Sequence, residues 1–598
     1  MKHNSRFSKS AIVRHYTSDC NDSSCGRINV EENSSVRGAM LKIRSYFASM
    51  CESSFIAGAL ERLYLSLLAC PLSVLGVFLT VFSLVSISLR FFVSGNGLSF
   101  FFNGINLSAI MIFLVSLTFL PVKKSISELV SKSIFLSKFE ISYDSKILKA
   151  SSKGEVPYYS YSTAVFLGML CGIVSALLSP VSVLSYMALL VCSLIIFNRP
   201  ECGILTSAFM LPLLENRYVI LVTALTAFSF LYKYLRCKRH FYFGKDEKIL
   251  FACTLIFFVS GIFTKSGIIS ITDSLKFVAV TVIYLCVKNL IKSISLFNGC
   301  VKLISVSSAL LSFVVILYYI ISSMADLINI WCFNGAGLSS SLGNFLNSDS
   351  HTFAVIAMTL PLNFSLFLGN LKSGTRLRYG ITVLMQLFCI AVNRDIGIIT
   401  ACVFSMILVL AFRYFKSLLL LPFTPLITHL LLKASHFLPS MTKAMSTARM
   451  FDKSAFGIIA SALYDNPLFG IGIGSENFRL SVASYSVAGS SSLQHPETSF
   501  ISLVLSFGIP ASIIIIATVG HLISKNLRFA IVNKGKNQLC DTASSGLFAS
   551  CVCAVFLFFT MFFTSHVSAA ALFAVMLGLG CCADDCVNSD FIDNNRQR

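Results

Sequence analysis

The sequence predicts an all-α polytopic integral membrane protein, with about 12 to 16 transmembrane helices and one long extracytoplasmic loop. Three observations carry this expectation. Hydrophobic residues fill 55% of the 598 positions and charged residues only 12%, and the mean hydropathy is +0.79, far from the soluble average. Uncharged apolar stretches of roughly the 20 residues that cross a bilayer core recur from Tyr64 onward. Within them hydrophobicity is continuous rather than alternating, so helices rather than a closed barrel satisfy the backbone in lipid.

In chain order, residues 1–62 are polar, Ser-rich and mildly basic, without an apolar core of the signal-peptide kind, and are expected to form a disordered cytoplasmic tail. Apolar segments follow at 64–89, 106–122, 162–179, 181–197, 202–214, 218–232, 249–264, 268–290 and 301–321, within a less informative region, 63–347. Region 348–520 holds segments at 352–369, 380–393, 396–412, 416–432 and 498–519 and the long loop 433–497. The pieces at 202–214 and 218–232 read as one hairpin or as a re-entrant element, and Pro422 with Pro425 should kink 416–432. Segments 546–564 and 567–582 complete the C-terminal helices, 521–582, and 583–598 reads as a cytoplasmic tail.

Lys and Arg mark orientation, because basic loops stay on the cytoplasmic side. Alternating the segments from an inside N-terminus brings 123–153, the run KYLRCKRH at 233–240, Lys288 with Lys292, Arg376 with Arg378, Arg413 with Lys416, and Lys525 to Lys536 inside. Outside fall 322–350, the short turn at Asn393 and Arg394, the turn near Ser565 and His566, and loop 433–497. Both termini are expected in the cytoplasm.

The net charge of +20 would suggest nucleic acid in a soluble protein; here it belongs to membrane-flanking loops, and no nucleic-acid partner is expected. Most of the twenty cysteines lie in apolar runs, among them Cys171, Cys192, Cys253, Cys286, Cys389 and Cys402. They read as small buried core residues rather than a disulfide scaffold. Cys581, Cys582 and Cys586 read as interfacial, with acylation as the alternative. No cluster of acids stands out at mid-membrane depth, which argues against an ion-coupled transporter.

The candidate chemistry lies in the outer loops. NPLFGIGIGSENFR, residues 466–479, spaces Gly470, Gly472 and Gly474 at alternate positions. A dinucleotide loop needs its third glycine where Ser475 stands, and no βαβ pattern surrounds it; no Walker lysine follows either. The glycines therefore read as a turn that follows the amphipathic stretch Phe456 to Tyr464 and hinges the loop back onto the membrane. Arg394, in AVNRDIG, sits between two apolar segments with almost no loop, where a guanidinium either snorkels to lipid phosphate or grips an anionic substrate. Asp395 beside it is able to neutralise it. Arg449, in STARMFDKSAFG, reads as a solvated helix face or a second anion ligand. In SLQHPETSF, His495 and Glu497 stand at the mouth of a membrane helix, where either a general base or a structural role beside a helix cap at Thr498 or Ser499 is open. His351, in SDSHTF, has similar standing.

Taken in order, these features resemble the O-antigen ligase/polymerase family of bacterial envelope glycosyltransferases. NPLFGIGIGSENF is similar to that family's loop, and HPETSFISLVLSFGIPASIIII to its re-entering helix. Upstream, SDSHTFAVIAMTLPLNFSLFL, AVNRDIGIITACV and STARMFDKSAFGIIASALYDNPLFG resemble its preceding segments, so the likeness spans about 348–515.

The resemblance implies a multi-pass protein of the bacterial cytoplasmic membrane that transfers or polymerises a glycan from an undecaprenyl-diphosphate carrier at the outer face. It implies metal-independent chemistry without a cofactor, with the carrier-linked glycan, an acceptor glycan or lipid, and membrane lipids as partners. Carried over residue by residue, Arg394 and Arg449 hold the diphosphate. Counting back from Gly508, the family histidine falls on Glu497, with His495 two residues earlier and Thr498 at the family Asn, so either Glu497 or His495 is the base. Asn393 and Asp395 replace the Ser and Gly that flank the arginine. The missing histidine inclines the reading toward polymerase over ligase. A non-enzymatic flippase or transporter of lipid-linked oligosaccharides is the alternative, and it predicts cations along a central cavity.

Overall fold

The computed structural model describes residues 46, 55–94, 104–126, 128, 160–213, 216–235, 244–262, 268–323, 350–369, 373–435, 453–468, 470–472, 474–483, 498–532, 538–560 and 567–596. Among them there is no β-strand, only an isolated bridge between Pro71 and Ser125. Nine of the described helices are long and apolar enough to cross a membrane, and four apolar helices are shorter.

The helices are α1 (Phe55–Ala69), α2 (Leu72–Ser94), α3 (Gly104–Phe119), α4 (Tyr161–Leu177), α5 (Pro180–Asn198), α6 (Pro200–Met210), α7 (Asn216–Leu235), α8 (Lys245–Ile262), α9 (Ile268–Leu290) and α10 (Ile294–Ser323). Then come α11 (Ser350–Leu368), α12 (Ser373–Asn393), α13 (Ile396–Arg413), a 3₁₀ helix (Phe415–Phe423), α14 (Thr424–Ser435), α15 (Lys453–Asp465), α16 (Ser475–Ala483), α17 (Ser499–Val532), α18 (Gln538–Thr560) and α19 (Val567–Arg596).

Several boundaries depart from the expectation for local reasons. The apolar run 64–89 is two helices, broken where Pro71 cannot donate to the preceding turn. A helix begins at Phe55, inside the stretch read as a tail, and α19 runs on to Arg596 through the other. Two other places follow the expectation: residues 416–432 divide at Phe423, just beyond Pro422, into a 3₁₀ turn and α14 where the prolines are expected to kink them, and 202–214 with 218–232 form two helices in contact, α6 and α7, as a hairpin does. Sharp starts are set by caps: Ser160 accepts from Thr163 N, and Ser179 from Ser182 N with Pro180 as the first helical residue.

The core forms where α11 packs on α18 and α12, α13 on α18, and α9 on α19. Close approach of α11 and α18 depends on a small residue, since a Cβ at Gly546 would lie 2.9 Å from Ser365 Cβ. Pro361 leaves the Ala357 carbonyl without its helical donor, and Cys553 Sγ of α18 supplies one at 3.4 Å. Asn363 Nδ2 donates to Ser308 Oγ at 3.0 Å and to Gln386 Oε1 at 3.1 Å, and Gln386 Nε2 to Thr359 Oγ1 at 2.9 Å, tying α10, α11 and α12 together. In an apolar surround such bonds are a main source of interhelical specificity.

The cysteine expectation needs correction in part. Cys286, Cys389 and Cys402 are buried, but Cys171 and Cys253 are half-buried and Cys192 is exposed on α5. Cys581 and Cys582 are buried against α17 and α9, which argues against their acylation; the side chain of Cys586 lies outside the described residues.

Candidate functional site

One end of the bundle gathers three unusual backbone features. The first is the turn between α12 and α13. Arg394 has φ +56°, the one positive φ outside glycine among the described residues, a conformation that costs an ordinary side chain roughly 1–2 kcal/mol. Asp395 caps α13, its carboxylate accepting from Ile398 N at 3.1 Å. The half-buried Arg394 donates from Nη2 to the Ser435 carbonyl at the end of α14, 3.2 Å away.

The second feature is a break in α17. Gly508 has φ +77° and ψ 174°, and Pro510 follows. In an unbroken helix Ile509 N–H would bond to the Leu505 carbonyl, four residues back. Here both groups turn to the glycine loop instead. Ile471 N donates to Leu505 O at 2.7 Å, and Ile509 N donates to Pro467 O at 2.9 Å. The loop is thus spliced into the gap, and the Leu505 carbonyl and the Ile509 N–H that the break separates each regain a partner.

Gly470, Gly472 and Gly474 have φ of +69°, +94° and +113°, values that favour glycine. Space reinforces the choice at two of them. A Cβ at Gly470 would overlap the Leu505 carbonyl and come within 2.7 Å of Gly508 N, and one at Gly474 would strike the Asp273 carboxylate of α9. Ile459, Ala462, Phe478 and Leu505 form a small apolar core that seats α15 and α16 against α17.

The third feature is the start of α17. Thr498 Oγ1 accepts from Ile501 N at 3.2 Å, as a capping residue does. Phe500 lies 5.0 Å from Phe559 near the end of α18, and a Cβ at Gly397 would lie 3.1 Å from Thr560. The Arg394 turn, the end of α18, the start of α17 and the spliced loop therefore share one end of the bundle.

Arg449, His495 and Glu497 lie outside the described residues. His351 is in the first turn of α11, at the same end. Among the described residues no group of three His, Cys, Asp or Glu side chains is placed to hold a metal ion.

Two charged groups escaped the sequence reading because they sit inside apolar stretches. Asp273 and Lys276 form an ion pair one turn apart on α9, beside Gly474. Lys276 also borders a cavity of about 290 Å³ between α8, α9, α17, α18 and α19. At the opposite end of the bundle, Glu247, only 1% exposed, pairs with Lys288, and Asp246 pairs with Lys525 and lies 3.6 Å from His521. Lys288 and Lys525 are among the basic residues that the sequence groups on one side, and Glu247 and Asp246 are the acids that pair with them. The partners of these pairs come from α8, α9 and α17, too far apart in the chain for spacing to reveal them.

Neither a scan of protein-family models nor a search of curated proteins found a match to this chain.

Proposed function

We propose that the protein is a lipid-linked glycan transferase of the O-antigen ligase/polymerase type, acting at the outer face of a bacterial cytoplasmic membrane. The observation that carries the reading is the convergence, at one end of the bundle, of the strained Arg394 turn and the glycine loop spliced into α17. A positive φ at a residue that carries a side chain, as at Arg394, is the kind of strain that concentrates at functional sites. The residue order of that end is also what resembles the family.

In this reading the donor is a glycan on undecaprenyl diphosphate. The acceptor hydroxyl oxygen bonds to the anomeric carbon as the bond from that carbon to the diphosphate oxygen breaks. The hydroxyl proton goes to Glu497 or His495, and undecaprenyl diphosphate departs with the electron pair. Arg394 and Arg449 offset the charge that gathers on it, as fixed guanidinium donors do without reorganisation. A polymerase differs from a ligase only in its acceptor, another carrier-linked glycan rather than a lipid or wall sugar.

A flippase of lipid-linked oligosaccharides is the second reading, favoured by the lysine at the cavity edge. Purified protein given a synthetic undecaprenyl-diphosphate oligosaccharide and acceptor separates the two. Glycosidic product with release of carrier diphosphate supports transfer. Scrambling of the donor across liposomes without product supports the flippase.

A further inference from the structure

We propose that the cavity between α8, α9, α17, α18 and α19 seats one isoprenoid chain of a phosphorylated lipid carrier, with Lys276 as its head-group cation and Asp273 as the counter-ion the phosphate displaces. This deepens the transferase reading and rests on it, adding a cation that the two arginines do not supply.

The lining decides the class of occupant. Its walls are almost wholly apolar, with Leu250, Phe277, Val280, Leu503, Val519 and Phe558 among them, and among the described residues Lys276 is the one charged residue that borders it. An apolar trough with a single cation at its edge fits an anionic amphiphile better than a sugar or a neutral lipid. The volume of about 290 Å³ equals roughly ten water-sized groups. That accommodates the head-proximal part of one chain.

The position of Lys276 fits a head-group role. Its side chain borders the apolar wall and is 32% exposed, with the ammonium on Asp273, the division of apolar stem and polar tip that lysines at membrane boundaries use. Ser499, at the start of α17, borders the same cavity. Lys276 is held by Asp273, and Asp273 abuts Gly474 of the spliced loop. A phosphate brings up to two charges and three acceptor oxygens, against one charge on the carboxylate, so it competes well for the ammonium. The displaced Asp273 then presses on Gly474, which links carrier binding to the loop seated in the α17 break.

Gly520 offers a way to fill the cavity from within a helix. It borders the space, and a Cβ there meets nothing within 4 Å, so a larger side chain enters the cavity without a clash against packed atoms.

The test is native mass spectrometry of the full-length protein in detergent, titrated with undecaprenyl phosphate, undecaprenol and phosphatidylglycerol. Undecaprenyl phosphate is expected to bind at least tenfold tighter than undecaprenol. Lys276→Gln should abolish that difference, Lys276→Arg should restore most of it, and Gly520→Leu should weaken both polyprenyl ligands. Undiminished phosphate binding in Lys276→Gln, or equal binding of phosphatidylglycerol, overturns the site. Transfer assayed on the same preparation keeps the two ideas apart. Transfer with carrier binding indifferent to Lys276 and Gly520 removes the cavity site and leaves the transferase standing. Lysine-dependent carrier binding without transfer retains the cavity site and removes the transferase.

Discussion

Ile509 gives its backbone N–H to Pro467, forty-two residues earlier in the chain, instead of to Leu505 in its own helix. The carbonyl it abandons is taken by Ile471. A helix broken in an apolar surround normally strands a donor and an acceptor, each at a cost of several kcal/mol in lipid. Here the glycine loop supplies both, so the loop and the break in α17 stabilise each other.

The glycine positions follow from that arrangement. Gly470→Ala combines a positive φ with overlap on the Leu505 carbonyl, and it should destabilise the docked loop by about 2–3 kcal/mol. Limited proteolysis between 453 and 483 is expected to accelerate strongly. Gly457→Ala, in the neighbouring α15 with open space around it, should leave the rate unchanged.

Gly474→Ala reports on a different contact. Its Cβ would meet the Asp273 carboxylate, so the loop or the Asp273–Lys276 pair has to shift. Shortening the acid in Gly474→Ala/Asp273→Ser should recover part of the lost thermal stability. Additive losses in the double variant would mean that the contact is unimportant.

Arg394 carries a backbone cost that is separable from its side chain. Arg394→Ala and Arg394→Gly both remove the guanidinium, but glycine accepts φ +56° without penalty. The glycine variant should therefore be more stable than the alanine variant by roughly 1 kcal/mol, with transfer lost equally in both. Chemical denaturation in detergent measures the first quantity and product formation the second.

The buried pair at the other end should behave as a paired charge. Glu247→Gln or Lys288→Met alone leaves an unmatched buried group and is expected to cost about 3–5 kcal/mol. The double variant Glu247→Leu/Lys288→Met should be much less damaged than either single one. A double-mutant cycle on thermal unfolding in detergent provides the comparison.

The sequence made the helices legible because continuous hydrophobicity leaves a chain in lipid few other ways to pair its backbone. At Pro71 the break fell inside what read as one segment, whereas the interruption of 416–432 was legible from Pro422 and Pro425. The glycine stretch was recognisable as a turn from Gly470, Gly472 and Gly474. Its docking onto Leu505 and Ile509 was not, because those backbone bonds join residues more than thirty positions apart and carry no side-chain signature. Asp273 and Lys276 passed unnoticed because two opposite charges one turn apart barely change the hydropathy of a long apolar run. Asp246 and Lys525, 279 positions apart, meet only through the packing of α8 on α17.

The central claim is tested most directly by the rate of glycan transfer from synthetic undecaprenyl-diphosphate oligosaccharide in three purified proteins: wild type, Arg394→Ala and Glu497→Ala. The account predicts product from the wild type and at least a hundredfold lower rate in Arg394→Ala, about 2.7 kcal/mol of transition-state stabilisation, with a similar loss in Glu497→Ala if Glu497 rather than His495 is the base. Transfer undiminished in both variants, or no transfer by a folded wild-type protein, would contradict it.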